Sequence, residues 1–172
     1  LVNLGATQYR YINVDTDQSW LNTVSGKISN KNFGFNLGLS YLGKALELDN
    51  SQENKYWFST EINSSFYYNV LKSKTSFALY FKGFGKSRRI IEKTSLGITQ
   101  YDLVDQKAFS LLDASISQKI WKDHFTITIG ARNIFDVSEF QNQSVGGAHS
   151  GGNAVERLYY GRSYFGRLNF NF

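Results

Sequence analysis

Cysteine and proline are both missing from this chain of 172 residues. Without cysteine there is no disulfide framework and no thiolate metal centre. Two histidines, His124 and His149, are too few for a His-rich metal site. The absence of proline suits long, uninterrupted ladders, because every residue keeps its backbone donor. No run approaches the roughly 18 apolar residues of a membrane-spanning helix. Helical periodicity is nearly absent as well.

What is present is alternation. The last nine residues place Tyr164, Gly166, Leu168, Phe170 and Phe172 on one face, and Phe165, Arg167, Asn169 and Asn171 on the other. That period of two is the mark of a strand with one apolar and one polar face. Phe33, Phe35, Leu37, Leu39 and Tyr41 alternate in the same way with Gly34, Asn36, Gly38 and Ser40. So do Phe125, Ile127, Ile129 and Ala131 with Thr126, Thr128, Gly130 and Arg132. The pattern predicts an all-β chain of about eight antiparallel strands, near 6–14, 19–29, 32–43, 56–69, 74–86, 107–121, 123–135 and 157–172. The first two are the least regular.

Aromatic residues make up 16% of the chain, yet mean hydropathy is −0.36. A soluble protein has such values, and so does a membrane barrel, whose lipid face uses only alternate residues. The net charge of +5 raises nucleic-acid binding. The basic residues are scattered, apart from Lys82, Lys86, Arg88, Arg89 and Lys93, so nucleic acid is set aside as a partner. The chain has no initiator methionine and no signal-peptide pattern, and Leu1 stands almost inside a strand pattern. It reads as a processed product or a fragment.

The links between the expected strands alternate in length. Ser29–Asn32, Val70–Ser73 and Trp121–Asp123 are tight turns. Gly43–Lys55, Ser87–Gln106 and Asp136–Glu156 are long, and Asp15–Gln18 falls on the long side of the series. Short periplasmic turns and long outer loops are the habit of outer-membrane barrels, and this polarity puts Phe172 at the periplasmic rim. A soluble sandwich or lipocalin-like barrel has the same alternation, with the apolar face turned inward. Three features favour the membrane: strands of about 11–15 residues, aromatics near strand ends (Trp57, Tyr67, Tyr68, Trp121, Tyr159, Tyr160), and a polar face too charged for a dry core. Phe35, Leu37, Leu39, Phe77, Leu79, Ile127, Ile129, Leu168 and Phe170 are then expected to face lipid. Asn36, Ser40, Glu61, Lys82, Asp113, Thr126, Thr128, Arg132, Arg167 and Asn169 are expected to face the lumen. The small residues of that inner face, among them Gly34, Gly38 and Gly130, suit contact with a separate plug.

The segment from Ile127 to Phe172 resembles the C-terminal end of TonB-dependent outer-membrane receptors, particularly the Bacteroidetes type. Ile129-Gly130-Ala131-Arg132-Asn133-Ile134-Phe135-Asp136-Val137 looks like the family's penultimate strand, G-x-x-N-[IL]-F-[DN]. Gly146–Gly152 looks like its glycine-rich last outer loop, and Gly161–Phe172 like its closing strand. Leu111–Ser117 resembles the start of the strand before. The first 105 residues match only as generic barrel hairpins.

The resemblance implies a 22-stranded barrel with a plug and a TonB box, neither of which this chain carries. Residues 1–172 are then the C-terminal part of the barrel of a nutrient-uptake receptor in the outer membrane. The substrate stays open among iron chelates, haem, cobalamin, peptides and glycans. Implied partners are outer-membrane lipid and lipopolysaccharide, the plug, TonB and the barrel-assembly machinery, with a surface lipoprotein as a further one. The competing reading is a complete eight-stranded OmpA/OmpX-like structural or adhesion barrel without transport. A barrel closed on itself would join residues 6–14 to 157–172, and the larger barrel would not.

Tyr164, Gly166, Leu168, Phe170 and Phe172 are the candidate barrel-closing assembly signal, by the same resemblance; the bland reading is a plain lipid-facing strand. Arg88, Arg89, Lys93 and His149 are candidate outer-loop ligand contacts: the basic three, with Lys86, for an anion such as a ferric siderophore or an acidic glycan, and His149 for haem or a metal, against the favoured reading of a mobile loop. Counter-charge to lipopolysaccharide is the competing role for the basic three. No cofactor, metal site or catalytic set is expected, and enzyme activity is not: His124 and His149 fall at opposite strand ends and cannot share a site.

Overall fold

The structure, a computed structural model, describes residues 2–5, 8–10, 16–47, 56–95, 98–141, 155–157 and 160–171. These residues form strands, turns and links, with no helix. The strands are β1 (Val2–Gly5), β2 (Gln8–Arg10), β3 (Thr16–Ser29), β4 (Phe33–Glu47), β5 (Trp57–Val70), β6 (Thr75–Phe84) and β7 (Ser87–Ser95). They continue as β8 (Ile98–Gln106), β9 (Phe109–Ile120), β10 (Phe125–Arg132), β11 (Glu139–Gln141), β12 (Val155–Arg157) and β13 (Ser163–Phe170).

The main sheet has seven strands in the order β13-β10-β9-β6-β5-β4-β3, all antiparallel. They correspond to seven of the eight strands expected from alternation. The sheet is open: β3 and β13 are its edges. No ladder among the described residues joins 6–14 to 157–172. β2 pairs instead with β1, in a four-stranded sheet ordered β2-β1-β7-β8.

The stretch Ser87–Gln106 is not the long loop expected from sequence. It is a hairpin, β7–β8, that prolongs β6–β9 without a slip in register. Thr75 faces Gln118 and Phe84 faces Phe109. Beyond the break, Ser87 faces Gln106 and Ser95 faces Ile98. The break falls at Gly85, whose N–H turns aside to bond Thr60 O at 2.6 Å. The links are shorter than expected in two other places. β3 already begins at Thr16, and the span 136–156 contains β11 and the start of β12, which pair with each other.

Tight turns lie where the sequence places them, at one end of the sheet. In the first, Asn30 Oδ1 accepts the N–H groups of Asn32 (2.8 Å) and Phe33 (2.9 Å), the side-chain turn that suits Asn. In the third, Trp121, Lys122 and Asp123 all have positive φ (49°, 51° and 72°). Successive turns are stepped. Gly34 at the base of the first turn faces Tyr67, but β5 continues to Val70 before turning. Thr75 at the base of the second faces Gln118, but β9 continues to Ile120. The step is about five residues over four strand spacings, roughly 17 Å against 19 Å at standard strand geometry. For the three turns to lie level, the strands must tilt by about 40°, inside the range of closed barrels.

Register sorts the side chains into two faces. One apolar row runs Ile28, Phe35, Phe66, Leu79, Ala114, Ala131, Tyr164; the next runs Phe33, Tyr68, Phe77, Ile116, Ile129, Gly166. The adjacent polar row runs Lys27, Asn36, Ser65, Tyr80, Asp113. The only buried apolar side chains among those described are Ala45 and Val104. The apolar face is uncovered: Val24 is 73% exposed, Ile129 59% and Leu39 47%.

Candidate functional site

All ten residues expected to face a lumen lie on one face. Asn36 and Ser40 face Ser65 and Glu61 across β4–β5, and Asn63, two along from Glu61, faces Lys82. Asp113 faces Tyr80. Arg132, Arg167 and Asn169 hold the same face on β10 and β13, opposite Ser163, Thr128 and Thr126. Short polar side chains bond across the strands: Asn36 Nδ2 donates to Ser65 Oγ at 2.9 Å, and hydroxyl pairs join Thr23 to Ser40 (3.1 Å) and Ser117 to Thr128 (2.8 Å). The long cations lie over rings of their own face. Lys82 Nζ is 4.7 Å from the Phe84 ring centre, and the Arg132 guanidinium is 5.1 Å from that of Phe165. Each contact keeps a charge wet on one side and apolar below.

The middle of this face is a hollow of about 750 Å³ whose lining includes Lys27, Asn36, Asn63, Tyr80, Lys82 and Asp113. It mixes donors, acceptors and both charge signs, so it suits a polar surface or solute. Two of the glycines expected to leave the wall bare do not. The Tyr67 ring lies where a Cβ on Gly34 would stand, and the Phe165 ring covers Gly130. An aromatic laid over a cross-strand glycine restores packing that the glycine lacks.

Asp113 has a structural role that its place on the polar face did not reveal. Its Oδ1 accepts the N–H of Asn133 at 2.8 Å. Asn133 is buried, with φ at 51°, and its carboxamide closes on the main chain of Val137: Nδ2 donates to Val137 O (2.8 Å), and Oδ1 accepts from Val137 N (3.0 Å). Asp136 N donates to Asn133 O, and Asp136 Oδ1 accepts from Arg162 N, both at 2.8 Å. The Asn-Ile-Phe-Asp run is therefore a corner that ends β10 and fixes the entry to β13. Asn is a residue type that tolerates positive φ while bonding its own neighbours. Gly161, at φ 77°, lets the incoming chain pass close to Asp136 Oδ1.

Aromatic clusters border the apolar face, though not all with the expected residues. Trp57 and Tyr67 belong to the polar face, opposite Lys44 and Gly34. At the long-link end the cluster is Trp20, Tyr41 and Phe58, with ring centres 5.5–5.8 Å apart. Trp20 reaches the other two by lying across Gly43, where any Cβ would strike its indole. At the tight-turn end Phe125 stacks on Trp121 (5.4 Å) and meets the tilted ring of Phe170 (4.7 Å). Tyr68 is at this end and Tyr160 is fully exposed, while Tyr159 lies outside the described residues.

Of the candidate assembly signal, Tyr164, Gly166, Leu168 and Phe170 share the apolar face of β13, and Phe172 lies outside the described residues. Leu168 is 72% exposed, and a side chain at Gly166 would meet open space. The end of β13 is tied down by Asn171, whose N–H donates to His124 O (2.8 Å) and whose O lies 2.9 Å from His124 Nδ1. Of the basic candidates, Arg88 pairs with Asp105 at 2.9 Å, and Arg89 and Lys93 belong to the same strand, β7. His149 lies outside the described residues. No family model, curated protein or solved structure matches this chain.

Proposed function

We propose that this chain is a section of an outer-membrane barrel wall, with the Leu39 face against lipid and the Asn63 face lining the interior. One observation carries the reading: a wide apolar face that stays exposed between two aromatic clusters, backed by a face of amides, hydroxyls and charges. From Phe58 to Tyr68 the apolar positions of β5 cover about 34 Å of strand, or roughly 26 Å across a bilayer at 40° tilt, against about 25 Å for the apolar band of such barrels. The stepped turns support a barrel wall, and the open edges of the sheet support a place in a larger ring rather than a closed barrel of eight strands.

Within that reading, the wall belongs to a TonB-dependent nutrient-uptake receptor and not to an enzyme. The support is the resemblance of the last 46 residues, from Ile127 to Phe172, now joined to a physical role for Asn133 and Asp136 at the β10 corner. Partners in this reading are lipid, lipopolysaccharide, a plug, TonB and the assembly machinery. These 172 residues hold no cysteine, so labelling measured against the unsubstituted protein reports each introduced one. In cells, Leu39→Cys and Ile129→Cys should react with a lipid-soluble maleimide, and Asn63→Cys and Ser117→Cys with a water-soluble one. The reverse result sinks the wall. Transport is tested separately, by deleting the gene and scoring growth on iron chelates, haem, cobalamin, peptides and glycans as limiting nutrients. Undiminished uptake of all of them rejects it.

A further inference from the structure

The three tight turns make one continuous rim. Asn69 N donates to Asn32 O, linking the base of the second turn to the first. Lys74 Nζ pairs with Asp123 Oδ1 at 2.9 Å, linking the second to the third. Asn171 N donates to His124 O, adding the end of β13. Along this rim stand Lys31, Lys72, Lys74, Lys119 and Lys122, all exposed. The only side-chain carboxylate among the described residues of these turns and the strand ends beside them is Asp123, already held by Lys74. Between the lysines project Leu71 (60% exposed) and Trp121 (66%). An indole beside lysines, at the edge of an apolar face, matches the boundary layer of a bilayer, where aromatic rings sit at headgroup depth and ammonium groups meet phosphates.

We propose that this tight-turn rim binds the headgroups of anionic phospholipids, with Trp121 and Leu71 seated among the first acyl carbons and Lys31, Lys72 and Lys122 on the phosphates. The occupant is a lipid surface, because charge complementarity and apolar anchoring occur together on the rim. A soluble phosphate uses only the first, and an acidic protein segment does not need the apolar face to continue above it. This rests on the wall reading, since the rim borders the bilayer only if the apolar face is in it.

The test uses the full polypeptide encoded by the natural gene, inserted into phosphatidylcholine vesicles and into an equal mixture with phosphatidylglycerol. Spin-labelled phosphatidylglycerol and phosphatidylcholine report which lipid lies against the protein. The expected result is selective immobilisation of the anionic lipid, falling as salt rises. Lys31→Gln, Lys72→Gln and Lys122→Gln combined should lower the selectivity at least fivefold, since one lysine near a charged membrane is worth about that factor. The same three positions changed to Arg should keep it. Lys86→Gln with Lys107→Gln, at the opposite end, should leave it unchanged. Insertion without selectivity, equal loss from the opposite-end pair, or displacement of the lipid by glycerol phosphate overturns the rim proposal and leaves the wall intact. Failure to insert into either vesicle overturns the wall, and the rim with it.

Discussion

An arginine at position 39 separates a lipid-facing wall from a sheet surface that meets only water. Leu39 lies on the apolar face between Val24 and Ile62 and is 47% exposed. It stands six residues along β4 from Phe33. That is about 20 Å of strand, or roughly 15 Å of depth at 40° tilt, within about 3 Å of the middle of the apolar band. A guanidinium at that depth on the lipid face costs about 2–4 kcal/mol, a factor of roughly 30 to 900 in the folding equilibrium. Ser40 is the next residue, at nearly the same depth on the other face, and its hydroxyl pairs with Thr23 at 3.1 Å. Ser40→Arg loses one solvent-accessible hydrogen bond, at most about 1 kcal/mol. Urea unfolding from phosphatidylcholine vesicles, followed by tryptophan fluorescence, should therefore show Leu39→Arg less stable than Ser40→Arg by at least about 1 kcal/mol. Equal values within about 0.5 kcal/mol would mean that neither face meets lipid. A wild-type protein that stays folded and monomeric without lipid or detergent would mean that some other surface covers the apolar face.

Other expectations follow from single contacts. Gly43→Val should push Trp20 off its place beside Tyr41 and Phe58, costing about 1–3 kcal/mol from forced repacking. With Trp57 and Trp121 replaced by Phe, unchanged Trp20 emission would refute that packing. Asn133→Ala removes both carboxamide bonds to Val137 and places a Cβ residue with no local hydrogen bond at φ 51°. A loss of about 1–3 kcal/mol is expected, with faster amide exchange at Val137 and Arg162, and native exchange rates there would reject the corner. The Lys74 ammonium, bonded to Asp123, holds that carboxyl below its usual range. The folded value lies under the unfolded one, so the stabilising contribution is present above the ordinary carboxylate range of about pH 4. It is lost as pH falls through the folded value. A carboxyl titration by NMR should show that depression and its partial reversal in Lys74→Gln; a midpoint at or above the ordinary value rules the pairing out.

The main sheet was legible because its signal is binary. Along β4 from Phe33 to Tyr41, along β10, and along β13 apart from Phe165, the alternation holds, and the register of the ladders follows from keeping Phe35, Ile129 and Leu168 on one side. The hairpin β7–β8 was not legible, because its alternation is broken by adjacent Ile90 and Ile91 and by charges at Arg88, Arg89, Glu92 and Lys93. A ladder that carries straight on from β6–β9 needs less local encoding than a free strand, since its register is set by the strands below it. Trp57 and Tyr67 misled for a related reason. Nearness to a strand end marks an aromatic as interfacial only if its parity puts it on the apolar face, and both have the parity of Glu61 and Asn63.

The polar face shows a different limit. Its composition was readable residue by residue, but what each side chain does there depends on neighbours across the strands. Asp113 counts in sequence as one more wall charge, yet it is spent on the N–H of Asn133, 20 residues away. Lys82 and Arg132 lie over Phe84 and Phe165. Arg88, counted among ligand contacts, is neutralised by Asp105. Asp113 and Arg88 are thus engaged within the wall, while Lys82 lies over its ring with the ammonium still wet and lines the hollow. The hollow lined by Lys27, Asn63 and Tyr80, beside the Asn36–Ser65 bond, is the roomiest polar part of this face. A plug or substrate that touches this wall should therefore be sought against β3 to β6, and not against β10 and β13, where Phe165 and the Asn133 corner already occupy the surface.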